Sequence, residues 1–355
     1  MAGFSKLAGV LGDSQVLAVG SRGAYDMEGG EFPETYHSGW ALLLEDCDGQ
    51  EKVVFQTRGA DSAASFFRSA SKPFQAYAWL HGLKALSLES AQALLPEELA
   101  IICSSHSATP EQTGWVEHLL KRFLAPGESA ESVLLCGPQK PLRQKDDNKT
   151  KLVSPIATRL CNNCSGKHAG MLWACHCAGW DKTTYLQADH PIQKRMIKLL
   201  AQYGQLNEAA IGIGVDGCGL PTYYIPLLAM ARLYLQLITN SVFAPLKQAM
   251  IGFPHLVGGP SRIDTALMQV GDGQLLSKVG ADGLICLAHL QKRQAFVLKL
   301  ADGLVDIRDI VAVHYLKRLG WLSDAQWKDA RLVSWREPYR KNTLGETIGR
   351  VVVLD

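Results

Sequence analysis

No stretch of this chain approaches the ~18 uninterrupted apolar residues that a membrane-spanning helix needs. No basic start runs into a long apolar core within Met1 to Val19, so a secretory leader is not expected. Charge of one sign is also missing. The 36 Lys and Arg stand against 34 Asp and Glu, and a net charge of +2 gives no global pull toward nucleic acid or a membrane surface. The densest charged run, Arg143 to Lys151, mixes both signs and reads as a solvated loop. Cysteine is the exception to this sparseness. Nine cysteines is an odd number, and without a leader it favours reduced thiols in a cytoplasmic protein over a disulfide framework. Cys161 and Cys164 have C-x-x-C spacing, yet no second C-x-x-C follows to complete a structural zinc site. Internal repeats and low-complexity tracts are absent as well.

What is present is an ordinary globular composition, 47% apolar and 20% charged over 355 residues. Short apolar runs with turn residues between them predict strands at Gln15–Gly20, Trp40–Leu44 and Lys52–Thr57. A helix is predicted over Ser71–Leu86, with Pro73 in its first turn, where a missing N–H costs nothing. Helical patterns follow at Thr113–Phe123, Ala169–Ala178, Pro191–Gln202 and Pro221–Leu237. Leu99–Cys103 is too short for periodicity to decide between strand and helix. Strands return at Leu275–Val279, Gly283–Ala288 and Ala295–Leu300, then a helix near Asp309–Leu319 and a terminal strand at Val351–Leu354. Strands, helices, then strands predict an α+β (α/β) fold: an antiparallel sheet formed by both chain ends, with an inserted helical region. The expected division is one catalytic unit, 1–355, with sheet-containing parts at 1–68 and 255–355 and a mainly helical part at 69–254.

Four constellations carry chemistry. In Arg68-Ser69-Ala70-Ser71-Lys72-Pro73, residues i and i+3 share a helix face, so Lys72 can serve Ser69 as a base if burial lowers its pKa. Read alone, the same residues also describe a capping serine and a solvent-facing lysine. Cys103-Ser104-Ser105-His106-Ser107 offers a second serine relay or a substrate contact, or else a polar loop before a helix that starts at Thr109-Pro110-Glu111. Cys161 to His168 and Asp216 to Gly219 combine thiol, amide and carboxylate groups with glycines. They suit a metal site, an amide pocket, a redox pair or a turn with inert thiols, whereas Cys175 and Cys177 read as helix packing. Lys278-Val279-Gly280-Ala281-Asp282-Gly283 has the form of the K-T-G strand of serine enzymes that begin with S-x-x-K.

In this order, Arg68–Gln75, Ser104–Ser107, Cys136-Gly137-Pro138, Asn162–Leu172, His190–Gln193, Gly214–Pro221 and Lys278–Gly283 resemble the asparaginase II family. NNCSGKHAGML at Asn162–Leu172 and VDGCGLP at Val215–Pro221 are the most specific. The resemblance implies a serine β-lactamase- and glutaminase-like fold and L-asparagine as substrate. It pairs Ser69 with Lys72 and Ser105 with Lys278 as catalytic residues. Arg68, His106, Asn163 and Asp216 would contact substrate, with Arg68 or another cation on the α-carboxylate and Asp216 on the α-ammonium or orienting a lysine. Cys164, Lys167 and Cys218 would hold a modulating zinc, and the protein would be a cytoplasmic homodimer. Ser107-Ala108-Thr109, Gln112, Gln139 and Asp282 depart from the family pattern and bear on substrate choice. A glutaminase or β-lactam-reactive peptidase on the same fold, and a non-catalytic zinc- or redox-responsive protein, are the competing readings.

Overall fold

The longest strand sets the layering. Along Glu31–Cys47, the side chains of Trp40, Leu42 and Leu44 are buried on one face and those of Ala41 and Leu43 on the other. Successive strand side chains point to opposite faces, so both faces of this sheet are covered. The same alternation recurs in Leu284–His289, which is buried at every position and therefore reads as an unbroken apolar run although its pairing is antiparallel. The computed structural model describes residues 13–23, 30–81, 83, 93–141 and 156–354. The charged run Arg143–Lys151 lies outside them.

The strands are β1 (Gln15–Gly23), β2 (Glu31–Cys47), β3 (Gln50–Gln56), β4 (Ala64–Phe66), β5 (Gly212–Val215), β6 (Pro221–Pro226), β7 (Leu275–Val279), β8 (Leu284–His289), β9 (Gln294–Leu300), β10 (Tyr339–Lys341) and β11 (Thr347–Val353). The main antiparallel sheet runs β10-β11-β1-β2-β9-β8-β7, and β3 pairs with the second half of β2. Both chain ends thus build one mixed helix-and-sheet fold with an antiparallel sheet. Helices of seven or more residues are α1 (Lys72–Leu80), α2 (Pro96–Ile102), α3 (Pro110–Lys121), α4 (Ser165–Ala178), α5 (Pro191–Gly204), α6 (Leu227–Thr239), α7 (Ala244–Gly252), α8 (Ile263–Val270) and α9 (Val305–Arg318). One face of the sheet meets α1, α2, α4 and α6 in the larger core, and the other meets α8 and α9.

Two expectations change. The helix predicted over Pro221–Leu237 is divided: Pro221–Pro226 is the central strand of a second sheet, β4-β6-β5, and the helix begins at Leu227. The run Thr222-Tyr223-Tyr224-Ile225 is β-branched and aromatic, which suits a pleated strand, and Pro226 ends it at the helix N-cap. The helix predicted to reach Leu86 stops at Leu80, and 84–86 lie outside the described residues. Leu99–Cys103 resolves as the end of α2. Among the described residues no single helix is long and apolar enough to cross a membrane. The one apolar pair, Leu227–Thr239 with Ser241–Gly252, bends by 79°.

Glycine decides one contact. A Cβ at Gly166 would lie 2.2 Å from the Ile101 carbonyl oxygen, and one at Gly170 would lie 2.8 Å from Ile102 side-chain carbons. Only with both positions bare can α4 press its first turns against α2, which brings Cys164–Lys167 beside the segment that follows Cys103.

Candidate active site

Phe67 holds the start of the site. Its N–H donates to the Tyr223 carbonyl at 2.8 Å, and its ring stacks on Phe74, 5.7 Å between centroids. Arg68–Ser71 then form one 3-10 turn before α1, with Pro73 in the first turn of α1 as the sequence predicts. Ser69 is half-buried on that turn. Among the described residues its hydroxyl has no hydrogen-bond partner, and Lys72 does not bond to it. The alternative of a solvent-facing Lys72 is excluded, because that side chain is 0% exposed.

Lys72 turns instead to Ser105. Its Nζ lies 3.1 Å from Ser105 Oγ and 3.4 Å from the Asn163 carbonyl oxygen, and it also bonds to the Ser104 carbonyl. From the opposite side, Lys278 Nζ on β7 lies 2.9 Å from the same hydroxyl, 3.1 Å from the Val279 carbonyl and 3.5 Å from Asp264 Oδ2. Ser105 is therefore shared by two lysines. Its backbone is fixed by its N–H donating to the Val257 carbonyl at 2.9 Å.

Asp264, in the first turn of α8, was not singled out by the sequence. It accepts from Ser277 Oγ at 2.7 Å and from the Val279 N–H at 3.1 Å, so it aligns the whole lysine-bearing end of β7. Its only signal in the sequence is a carboxylate within an otherwise apolar helix start, Ile263, Ala266, Leu267 and Met268.

Burial separates the two lysines. It pushes the Lys72 ammonium below its usual range, and Lys167 nearby adds to this, against Cys164, Cys218 and Asp216. Burial also lowers Lys278, but the Asp264 carboxylate opposes it, leaving a value of about 8. The partner counts are compatible with a neutral Lys72 and a charged Lys278. A neutral amine has two donors and one lone pair, which match the Ser104 carbonyl, the Asn163 carbonyl and the Ser105 O–H around Lys72. An ammonium has three donors, which match Ser105 Oγ, Asp264 and the Val279 carbonyl around Lys278. With Lys72 neutral and Lys278 charged, Ser105 would donate to Lys72 and accept from Lys278.

His106 is wholly enclosed. Nδ1 accepts from the Ala108 N–H at 3.1 Å, so the neutral ring carries its proton on Nε2 and donates to Ser165 Oγ at 2.8 Å. Burial, with Lys72 nearby, holds this imidazole neutral, its pKa pushed down to about 3. The loop departures have structural duties. Gln112 closes a capping box with Thr109 at the start of α3, and its Oε1 also accepts from the Ser107 N–H at 2.9 Å. Gln139 Oε1 accepts from the Asn163 N–H at 3.2 Å, which places it at the site's edge, behind the carbonyl that meets Lys72.

The motif Asn162–Leu172 meets Val215–Pro221 across a second cluster. Lys167 Nζ is 3.2 Å from Cys218 Sγ, and the Cys164 thiol donates to the same sulfur. That donated hydrogen bond and the Lys167 ammonium lower Cys218 to about 5, against burial, while the same hydrogen bond and burial raise Cys164 to about 12. Among the described residues no group of three or more His, Cys, Asp and Glu side chains could hold a metal, so any three-donor set here includes the lysine. All nine cysteines are free, including Cys161, so the C-x-x-C is not a disulfide.

Arg68 forms the rim. Its Nε is 2.9 Å from Asp216 Oδ1, close as an ion pair but off the line of a hydrogen bond, and its Nη1 is 2.5 Å from Asp282 Oδ2. Burial tends to raise the Asp216 carboxyl, but Lys167, Arg68 and the Gly217 N–H together hold it below the usual range. The site therefore gathers a half-buried serine, a hydroxyl between two dehydrated lysines, and a guanidinium between two carboxylates.

A family model for L-asparaginase II matches residues 26–353. The chain belongs to the L-asparaginase II family. Membership in this asparaginase family assigns it to the amide hydrolases, with a small-molecule amide as substrate. No curated protein matches the chain. The family match and the motif order agree, and the structure brings Ser105, Lys72 and Lys278 into one cluster and Cys164, Lys167 and Cys218 into another. The two serine-lysine pairs expected by the family resemblance converge on the second serine. Ser69 stands apart from its own lysine by hydrogen bonding.

Proposed function

We propose that this L-asparaginase II family member hydrolyses the side-chain amide of L-asparagine through an acyl-enzyme on Ser69. The observation that carries this reading is the Ser105 hydroxyl between Lys72 and Lys278, both fully buried, with the half-buried Ser69 on the turn that leads into Lys72. Such dehydration is what makes a lysine a base near neutral pH. An antiparallel sheet built from both chain ends, with S-x-x-K, a second serine and K-x-G in contact, supports a serine β-lactamase-like arrangement.

In the reaction, neutral Lys72 takes the proton of Ser69 as its oxygen attacks the amide carbon. Lys72, now charged, donates to Ser105, whose own proton passes to the departing nitrogen and releases ammonia. Water then attacks the ester and frees Ser69. Lys278 keeps its proton throughout and stabilises charge on Ser105. Arg68 binds the substrate carboxylate. His106 keeps the Ser105 loop in register through Ser165.

Cys164, Lys167 and Cys218 converge on one point, which fits a zinc ion in position; binding would release the protons of Cys164 and Lys167. Zinc there would pin the turn that carries Asp216 and so tune substrate affinity. A purely metal- or redox-responsive protein would need only this cluster and leaves the buried Lys72–Ser105–Lys278 array without a purpose.

The test is ammonia release from L-asparagine and L-glutamine by the wild type and Ser69→Ala in parallel. Release from asparagine that disappears in the variant supports the reading. Release from neither amide, with zinc withheld and then supplied, sinks it, and a preference for glutamine makes the protein a glutaminase.

A further inference from the structure

The turn between β7 and β8 presents one carboxylate to the site in an unusual way. Asp282 has φ 55° and its partner Arg68 has φ 47°, so two residues with side chains face each other in the left-handed region. Strain of this kind persists only where the surroundings impose it. Here they do. The Gly280 N–H donates to the Leu284 carbonyl at 2.9 Å, Lys299 Nζ donates to the Asp282 carbonyl at 2.7 Å, and the buried Arg308 donates to the Gly280 carbonyl at 3.0 Å. The backbone is clamped while the Asp282 side chain stays 67% exposed. An exposed ion pair contributes little to stability, so stability alone does not account for the arrangement.

Asp216 and Asp282 differ in what they have left to offer. Asp216 Oδ1 already accepts from the Gly217 N–H and touches Arg68, Lys167 holds its charge, and its side chain is 11% exposed. Among the described residues, Asp282 meets only the Arg68 guanidinium through its carboxylate, and it faces solvent. An α-amino acid carries a carboxylate and an ammonium on one carbon. When the carboxylate takes Arg68, the ammonium needs an acceptor next to that guanidinium.

We propose that Asp282, and not Asp216, binds the α-ammonium of the substrate and so selects free α-amino acids over amides that lack the amine. The inference rests on the amidohydrolase reading above. Substrate entry exchanges one ion pair for two: Arg68 Nη1 passes from Asp282 to the substrate carboxylate, and Asp282 passes to the substrate ammonium. Asp216 remains the fixed partner that orients Arg68.

The experiment compares kcat/KM for L-asparagine and for succinamic acid, which has the same amide and carboxylate without the amine. Wild type and Asp282→Asn are measured side by side, with melting temperature recorded. Asparagine tolerates the left-handed φ, so the backbone is preserved. The expected result is a fall of about tenfold or more in the preference for asparagine over succinamic acid, carried mainly by KM. An equal fall for both substrates overturns the inference and leaves Asp282 as a residue that merely positions Arg68. An unmoved ratio with unmoved rates overturns it too. Wild-type protein that releases ammonia from neither compound overturns the amidohydrolase reading and this inference with it, whereas an active wild type with an unmoved ratio overturns only the inference.

Discussion

The Ser105 cluster and the Arg68 rim lie side by side, and burial makes them opposites. Around Ser105 both lysines are 0% exposed, and each lies within hydrogen-bond distance of its hydroxyl. Electrostatics there act without screening, which moves pKa values. At the rim, Arg68 and Asp282 meet in water, and strain sits in the backbone. The comparison teaches that one site can hold an array from which water is excluded next to a rim to which it is admitted.

Removing the proposed nucleophile tests the inner region most severely. Ser69→Ala is expected to lower kcat for asparagine by roughly 10⁴-fold or more, read as ammonia release, with the melting temperature retained. Retained activity in this variant would move the nucleophile to Ser105. Lys72→Met removes the proposed base and is expected to cost about 10²–10⁴-fold in kcat/KM. A matching effect on binding of the product aspartate would show that the lysine serves binding rather than proton transfer.

The two lysines also predict the direction of a pH profile. In the proposed mechanism Lys278 acts in its charged form, and burial pushes it down to about 8, so kcat/KM is expected to fall as pH rises through that value. Asp264 raises the Lys278 pKa, so Asp264→Asn is expected to shift the falling limb to lower pH. A limb that moves upward, or not at all, contradicts the charge assignment.

Packing beneath the site gives a smaller effect, on stability. Gly166→Ala drives a methyl into the Ile101 carbonyl and is expected to destabilise by about 1–3 kcal/mol, measured by denaturant unfolding. The smallest effect belongs to the rim. Asp282→Asn is expected to change unfolding stability by less than about 0.5 kcal/mol, because its ion pair is exposed, while substrate preference changes. A large stability loss there would erase the distinction between the two regions.

Legibility followed periodicity and motif order. The meander Leu275–Leu300 was predicted to within a residue because its three strands carry apolar runs between turn residues. Pro221–Pro226 was misread as helix because an apolar, aromatic run before Leu227 carries no period that separates a central strand from a buried helix. Lys72 and Ser69 were legible as S-x-x-K spacing, yet spacing did not show that Lys72 bonds Ser105. Asp264 was not legible at all, since one carboxylate on an apolar helix has no pattern until Lys278 and Ser277 are seen against it.

By itself, the sequence determined that this chain has the L-asparaginase II motifs in order, that both its ends are strand-forming, and which serines, lysines and thiols were available for chemistry. Those properties are local: they depend on side-chain identity and on spacing within a turn or two. Tertiary structure alone decided that two lysines share Ser105, that Asp264 lies against one of them, and that Asp282 faces Arg68 across the rim. Each of these joins residues far apart in the chain, and each works through exclusion of water or clamping of the backbone, which no short segment can supply.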